Sequence, residues 1–220
     1  MSEKNDPTRP ASDAEFLRRL AFDELFVLPS ADERADTPDK SRPASTIDIV
    51  EEMDRLKPFE RERVMRVAAR RLAFQILFEM DARNITDPAF ITTTLAQIET
   101  LGPGAAALTT RLISGAISSK AAADEEFRKL APEWPTHRLA GVDRAILRLC
   151  YYELTARINP AAIVLNEGVE LAKHFSTDRS PAFINALLDK VAKAMAAAPA
   201  PGEPSSPAAG DEPSTPQEQN

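Results

Sequence analysis

The residues of this chain best suited to chemistry are Arg63, Arg66, Arg70, Phe74 and Phe78, which recur along one strip of the segment FERERVMRVAARRLAFQILFEMD. At 3.6 residues per turn the arginines come first, and the two phenylalanines continue the strip over the next turns. Guanidinium groups neutralise phosphate and stack on bases, while aromatic rings give unstacked bases a platform. A basic-then-aromatic strip therefore has the make-up of a surface for single-stranded RNA. Two blander readings stand beside it: an arginine-rich face that is merely solvated, and phenylalanines that belong to the core. Met65, Ala68, Ala69, Leu72, Ala73, Ile76 and Met80 form a second, apolar stripe on the same segment, which needs partner helices to cover it.

No other grouping suggests a reaction. His137 and His174 have no Cys, His or paired carboxylate at ligand spacing, so no metal site or general base is expected. Cys150 lies in the apolar run AILRLCYYEL and reads as a buried core thiol. Glu51-Glu52 and Glu125-Glu126 read as solvated acidic pairs, and Phe127 and Trp134 as packing residues. Asn166-Glu167 reads as structural, with Glu167 expected to pair with Arg144 or Arg148 on the preceding helix. The chain is thus expected to have no catalytic residues and no cofactor.

The elements that must position the strip are helices. Most of the 18 prolines fall near the ends of the chain, and the stretch between is rich in Ala, Leu, Glu and Arg without β-type alternation, which predicts an all-α core. Residues 1–57 read as an N-terminal extension: an amphipathic helix over 12–28, a flexible linker over 29–45, and a helix over 47–56 behind a Ser45/Asp48 capping box. Residues 58–196 form the predicted helical domain, and 197–220 a disordered tail rich in Pro, Ala and Ser. Within the domain, helices are expected from Phe59 to Asp81, from Pro88 to Leu101, over 104–119 with an extension or restart over 120–130, from Val142 to Arg157 and over 161–175. A last helix is capped by Ser180 and runs to Met195. RRLAF occurs at Arg18–Phe22 and again at Arg70–Phe74, so the early helix is a candidate mimic of the main one. The net charge of −7 argues against a nonspecific nucleic-acid binder, but it is unevenly spread: residues 1–56 hold fourteen acidic against eight basic residues, whereas Lys57–Phe78 holds six basic against two acidic. No membrane span or secretory signal is apparent, and a cytoplasmic location is expected.

ARRLAFQILFEMD, WPTHRLAGVDRAILRLCYYEL and VLNEGVELAKHFSTDRSPAFINALLDKVAK together resemble the NusB family of bacterial transcription antitermination factors over roughly residues 60–196. The resemblance implies a fold of two packed three-helix bundles. It also implies a non-enzymatic role: binding the boxA element of ribosomal RNA leader transcripts, with the ribosomal protein NusE as partner, in the transcription elongation complex. By the same resemblance Arg66 and Arg70 fall on the family's basic segment, supported by Arg63 and Arg71 from neighbouring turns. Phe78 replaces a tyrosine frequent there, Arg179 precedes the last helix, and Phe183 is the aromatic of its SxxF segment. Val67, Ala68 and Ala69 dilute the basic cluster, and Ala182 stands where the family often has a basic residue. The resemblance permits monomer or homodimer. Two alternatives remain at this point. One is a protein-interaction module whose RNA binding is lost or is masked by the acidic extension. The other is a relative of the RNA-binding domain of ribosomal RNA cytosine methyltransferases, which needs a following cofactor-binding domain.

Overall fold

The computed structural model describes residues 53–98 and 103–197, so the readings made above for residues 1–52 and for the tail beyond 197 lie outside the described residues. After a short helical stretch at 53–55, seven α-helices follow one another there: α1 (Pro58–Ala82), α2 (Ala89–Ala96), α3 (Pro103–Ser118), α4 (Lys120–Leu130), α5 (Gly141–Thr155), α6 (Ala161–Phe175) and α7 (Ser180–Ala197), with a 3-10 turn at Thr136–Arg138. Among the described residues there is no strand.

Local chemistry sets the ends of these helices. Pro58 sits in the first turn of α1, and Glu60 Oε2 accepts the Lys57 amide at 3.0 Å, satisfying one of the donors a helix start leaves free. After α1, Asn84 takes φ 54°, a left-handed conformation that asparagine tolerates better than most residues. Pro88, Pro135 and Pro160 precede α2, the 3-10 turn and α6. Ser180 is the first residue of α7 rather than its cap. Residues 120–130 form a separate helix, because the chain breaks at Ser119.

Helix α1 is the centre of the molecule. One side packs on α3 and the other on α5, and everything from Ala68 to Phe74 is buried. The helices α1, α2 and α3 make one three-helix group and α5, α6 and α7 the other, with α4 packed on α5 and α7. Leu72, Ile76, Leu112, Ile113, Ile146, Leu147 and Leu149 are fully buried between them. Each such side chain contributes about 1.5–3 kcal/mol relative to exposure.

Two glycines allow the closest approaches. A Cβ on Gly115 of α3 would fall inside the Tyr152 ring of α5, and one on Gly168 of α6 would lie 2.9 Å from Cys150 Sγ and 3.0 Å from Leu188 Cδ1. The small-residue face of 104–119 thus serves the close helix contact that its composition predicts.

Candidate nucleic-acid interface

The arginine strip divides in two. Arg63 and Arg66 lie exposed on the first turns of α1, but Arg70 and Arg71, at 4% and 2% exposure, do not reach the surface. Arg70 donates through Nε and Nη2 to Glu153 of α5 at 2.6 and 2.8 Å, and its Nη1 lies 3.5 Å from Glu167 of α6. Asn159 Nδ2 adds a third donor to Glu153, at 3.0 Å. Burial by itself would lower the Arg70 pKa, but the hydrogen bond and charge of Glu153 and the charge of Glu167 outweigh it and hold the guanidinium above its ordinary range. The expectation that Arg70 and Arg71 face an RNA is therefore corrected. The strip is real, but α5 covers its middle, and Arg70 serves there as the cation of a buried cluster. Phe74 is likewise interior, at 2% exposure, with its ring 5.0 Å from that of Phe175.

The expected partners of Glu167 are also corrected. Arg144 instead donates to Asp81 at the end of α1, Nε to Oδ2 at 2.9 Å, and Arg148 bridges Asp81 at 3.1 Å and Asp124 at 2.7 Å. Burial alone would raise the Asp81 pKa, but the hydrogen bond from Arg144 and the charges of Arg144, Arg148 and Lys120 hold it below the usual carboxylate range. Glu167 is the reverse case: burial foremost, against the attraction of Arg70, holds its carboxyl above that range.

Phe78 emerges at the surface, 36% exposed, with its ring stacked 6.4 Å from Phe74. It also lies over the start of α5, where a Cβ on Gly141 would come within 3.2 Å of its ring. That same end of α5 holds the loop carrying Arg179. Asp143 accepts hydrogen bonds from Ser176 Oγ at 2.6 Å and Ser180 Oγ at 3.0 Å, and the two hydroxyls are 2.9 Å apart. This cluster ties the α6–α7 turn to α5. Arg179 is left exposed, and Phe183, one turn later, is half-buried with its ring edge-on to Trp134 at 6.5 Å. Trp134 is 56% exposed, not the packing residue its position suggested, whereas Phe127 is buried at 1%. Arg66 is paired with Glu62 one turn earlier, so a phosphate arriving there must displace an exposed carboxylate.

Sequence reasoning missed Glu153 and Asp143. A lone carboxylate among the apolar residues of CYYELT was the available signal for Glu153. Asp143 gave none, because an acidic residue in a first helical turn needs no further partner to explain it. Among the described residues no group of three or more His, Cys, Asp or Glu is placed to hold a metal ion.

The family model described as "NusB family" matches residues 67–193, more than half of the 220 residues. The chain belongs to the NusB family. "Transcription antitermination protein NusB" of Streptomyces coelicolor is 42% identical over 133 residues, covering 57% of this chain and 91% of that protein. Among solved structures, T. maritima NusB superposes with a TM-score of 0.55 at 31% identity, covering 58% of this chain and 90% of that one. A complex of the antitermination factors NusB and NusE with dsRNA contains a chain that matches with a TM-score of 0.54 at 24% identity, covering 59% of this chain and 97% of that one. The seven helices are thus a NusB fold, and the role for which these relatives are named, transcription antitermination, is not an enzymatic one. Phe78, Arg179 and Phe183 fall inside the matched region, whereas Arg63 and Arg66 lie just ahead of it.

Proposed function

We propose that this chain binds boxA-type single-stranded RNA of ribosomal leader transcripts together with NusE, as part of an antiterminating elongation complex. Arg63, Arg66 and Arg179 neutralise phosphates, and Phe78 and Phe183 stack bases. The observation carrying this reading is that these five side chains stay at least partly open to solvent on a NusB fold whose other strip residues are buried. A structural relative crystallised with NusE and dsRNA supports NusE and RNA as partners, and the choice of a single strand rests on the open rings of Phe78 and Phe183.

Fluorescence anisotropy of a labelled boxA-like RNA against a scrambled control, with and without NusE and across a salt series, tests it. Preference for boxA, strengthened by NusE, is the expected result. The double variant Arg63→Ala/Arg66→Ala should weaken binding and reduce the slope of log affinity against log salt by about 1.4, since each phosphate contact on a single strand contributes roughly 0.7. Equal binding of boxA and scrambled RNA, with NusE binding intact, would overturn the RNA half of the reading and leave a protein-assembly role.

A further inference from the structure

We infer that Trp134 is a base-stacking residue that extends this RNA surface beyond Phe183, and that the two rings together select an unstacked single strand. The inference rests on the proposed RNA role but concerns a residue outside the set named for it.

Trp134 is more than half exposed, in a loop where an apolar ring of that size gains nothing from water. The ring is nevertheless held in place. Pro132 and Pro135 flank it, its backbone amide donates to Ala131 O at 2.9 Å, and one edge rests against Phe183. An aromatic ring fixed with much of its surface open loses little freedom on receiving a ligand. Charge along the chain beside the two rings leans basic: Arg138, Arg179 and Lys190 are exposed within seven residues of one ring or the other, against exposed Glu133 and Asp178. Arg179 lies one turn before Phe183, with the Phe183 amide directed at its carbonyl.

The ring geometry narrows the ligand further. The centroids are 6.5 Å apart and the planes meet at 62°. In a duplex the successive bases of a strand lie parallel and stacked on one another, about 3.4 Å apart face to face. Two neighbouring bases of a duplex therefore cannot occupy both rings, whereas bases splayed from a flexible single strand can. Exposed aromatic rings combined with basic side chains are what single-strand binders use for sequence-tolerant stacking.

Trp134 is the only tryptophan in the chain, so intrinsic fluorescence reports on this ring alone. The full chain is titrated with a boxA-like single-stranded RNA while tryptophan emission and the anisotropy of labelled RNA are read in parallel. Emission is expected to be quenched with the same midpoint as the anisotropy, and a duplex of the same sequence should leave it unchanged. Trp134→Ala should weaken single-strand binding by about tenfold or more, in line with the loss of one stacked base. Trp134→Phe, which keeps a stacking face and guards against a folding defect, should recover most of that affinity. RNA binding with unchanged emission, and with Trp134→Ala within twofold of the parent, would refute the inference while leaving the RNA role intact. Emission that responds to NusE and not to RNA would refute it in favour of a protein contact. Absence of RNA binding by either readout would overturn both.

Discussion

Replacing Glu153 by glutamine should be among the costliest near-isosteric changes in this protein, whereas the same change at Glu167 should cost little. Glu153 is 0% exposed and accepts hydrogen bonds from Arg70 Nε, Arg70 Nη2 and Asn159 Nδ2. Glutamine of the same shape keeps one acceptor but turns an NH2 group toward a donor and leaves the Arg70 charge with Glu167 alone, 3.5 Å away. Removing one partner of a buried pair typically costs about 3–5 kcal/mol, and the remaining carboxylate puts the expectation near the lower end, about 3 kcal/mol. For a chain of this size that corresponds to a fall in Tm of roughly 6–12 °C. Glu167 differs in sign. Its folded pKa is raised, so its contribution is full below the unfolded pKa and is lost as pH rises through the folded one. At neutral pH its charge is disfavoured inside the fold, and Glu167→Gln should leave stability unchanged within about 1 kcal/mol or raise it. Thermal unfolding followed by circular dichroism measures both. Equal losses for the two variants, or a Glu153→Gln protein within about 1 kcal/mol of the parent, would refute the assignment of Glu153 as the principal counter-ion of Arg70. Replacing the cluster together, Arg70→Met with Glu153→Leu and Glu167→Gln, should recover much of the loss, since no buried charge is then left alone.

Asp81 gives a pH test of opposite sense. Its lowered pKa supplies stability that is present above the unfolded value and lost as pH falls through the folded one, so Asp81→Asn should flatten the acid limb of a Tm-against-pH curve while lowering Tm at neutral pH. Gly168→Ala should destabilise by about 1–3 kcal/mol by forcing a methyl against Cys150 Sγ and Leu188 in denaturant titrations, and Cys150→Ala in the same chain should return part of the loss as a non-additive coupling. Burial, followed by the charge of Glu153, raises the Cys150 thiol far above its ordinary pKa, so thiol-reagent labelling of the native chain should track global unfolding and accelerate in step with denaturant. Asp143→Ala removes the acceptor of both Ser176 and Ser180 and should cost about 1–3 kcal/mol in stability, with RNA affinity falling through a loosened Arg179–Phe183 turn.

The helical domain was legible because its punctuation is explicit. Pro58 and the Ser180-Pro181 pair mark starts, and Pro103 and Pro160 mark breaks, that agree with the helix boundaries within a residue or two, and each helix between them carries an apolar period. The candidate site was less so, for a reason visible at α1. Periodicity assigns residues to faces but does not say how many faces are covered, and a central helix has partners on more than one side. Arg70 and Phe74 lie on the strip with Arg63 as read, but they are buried because α5 and the end of α6 reach them and not Arg63. Which arginine pairs with which carboxylate was equally beyond the pattern: the sequence offers Glu167 arginines on two helices, and packing gives it Arg70 while Arg144 goes to Asp81. Trp134 failed for the opposite reason, since a ring between two prolines in a loop has no period from which to read a direction.

The first turn of α5 fastens two neighbours with consecutive residues. Asp143 holds the turn before α7 through Ser176 and Ser180, and Arg144 holds the end of α1 through Asp81. Phe78 and Phe183 belong to those two neighbours, far apart in sequence, yet each is mounted a few residues from the same fixture. Both rings are therefore referred to one helical turn and not to a series of separate loops. A strand spanning both rings would thus take its two ends from neighbours that share one anchor, so that loosening this single turn would disturb both ends at once.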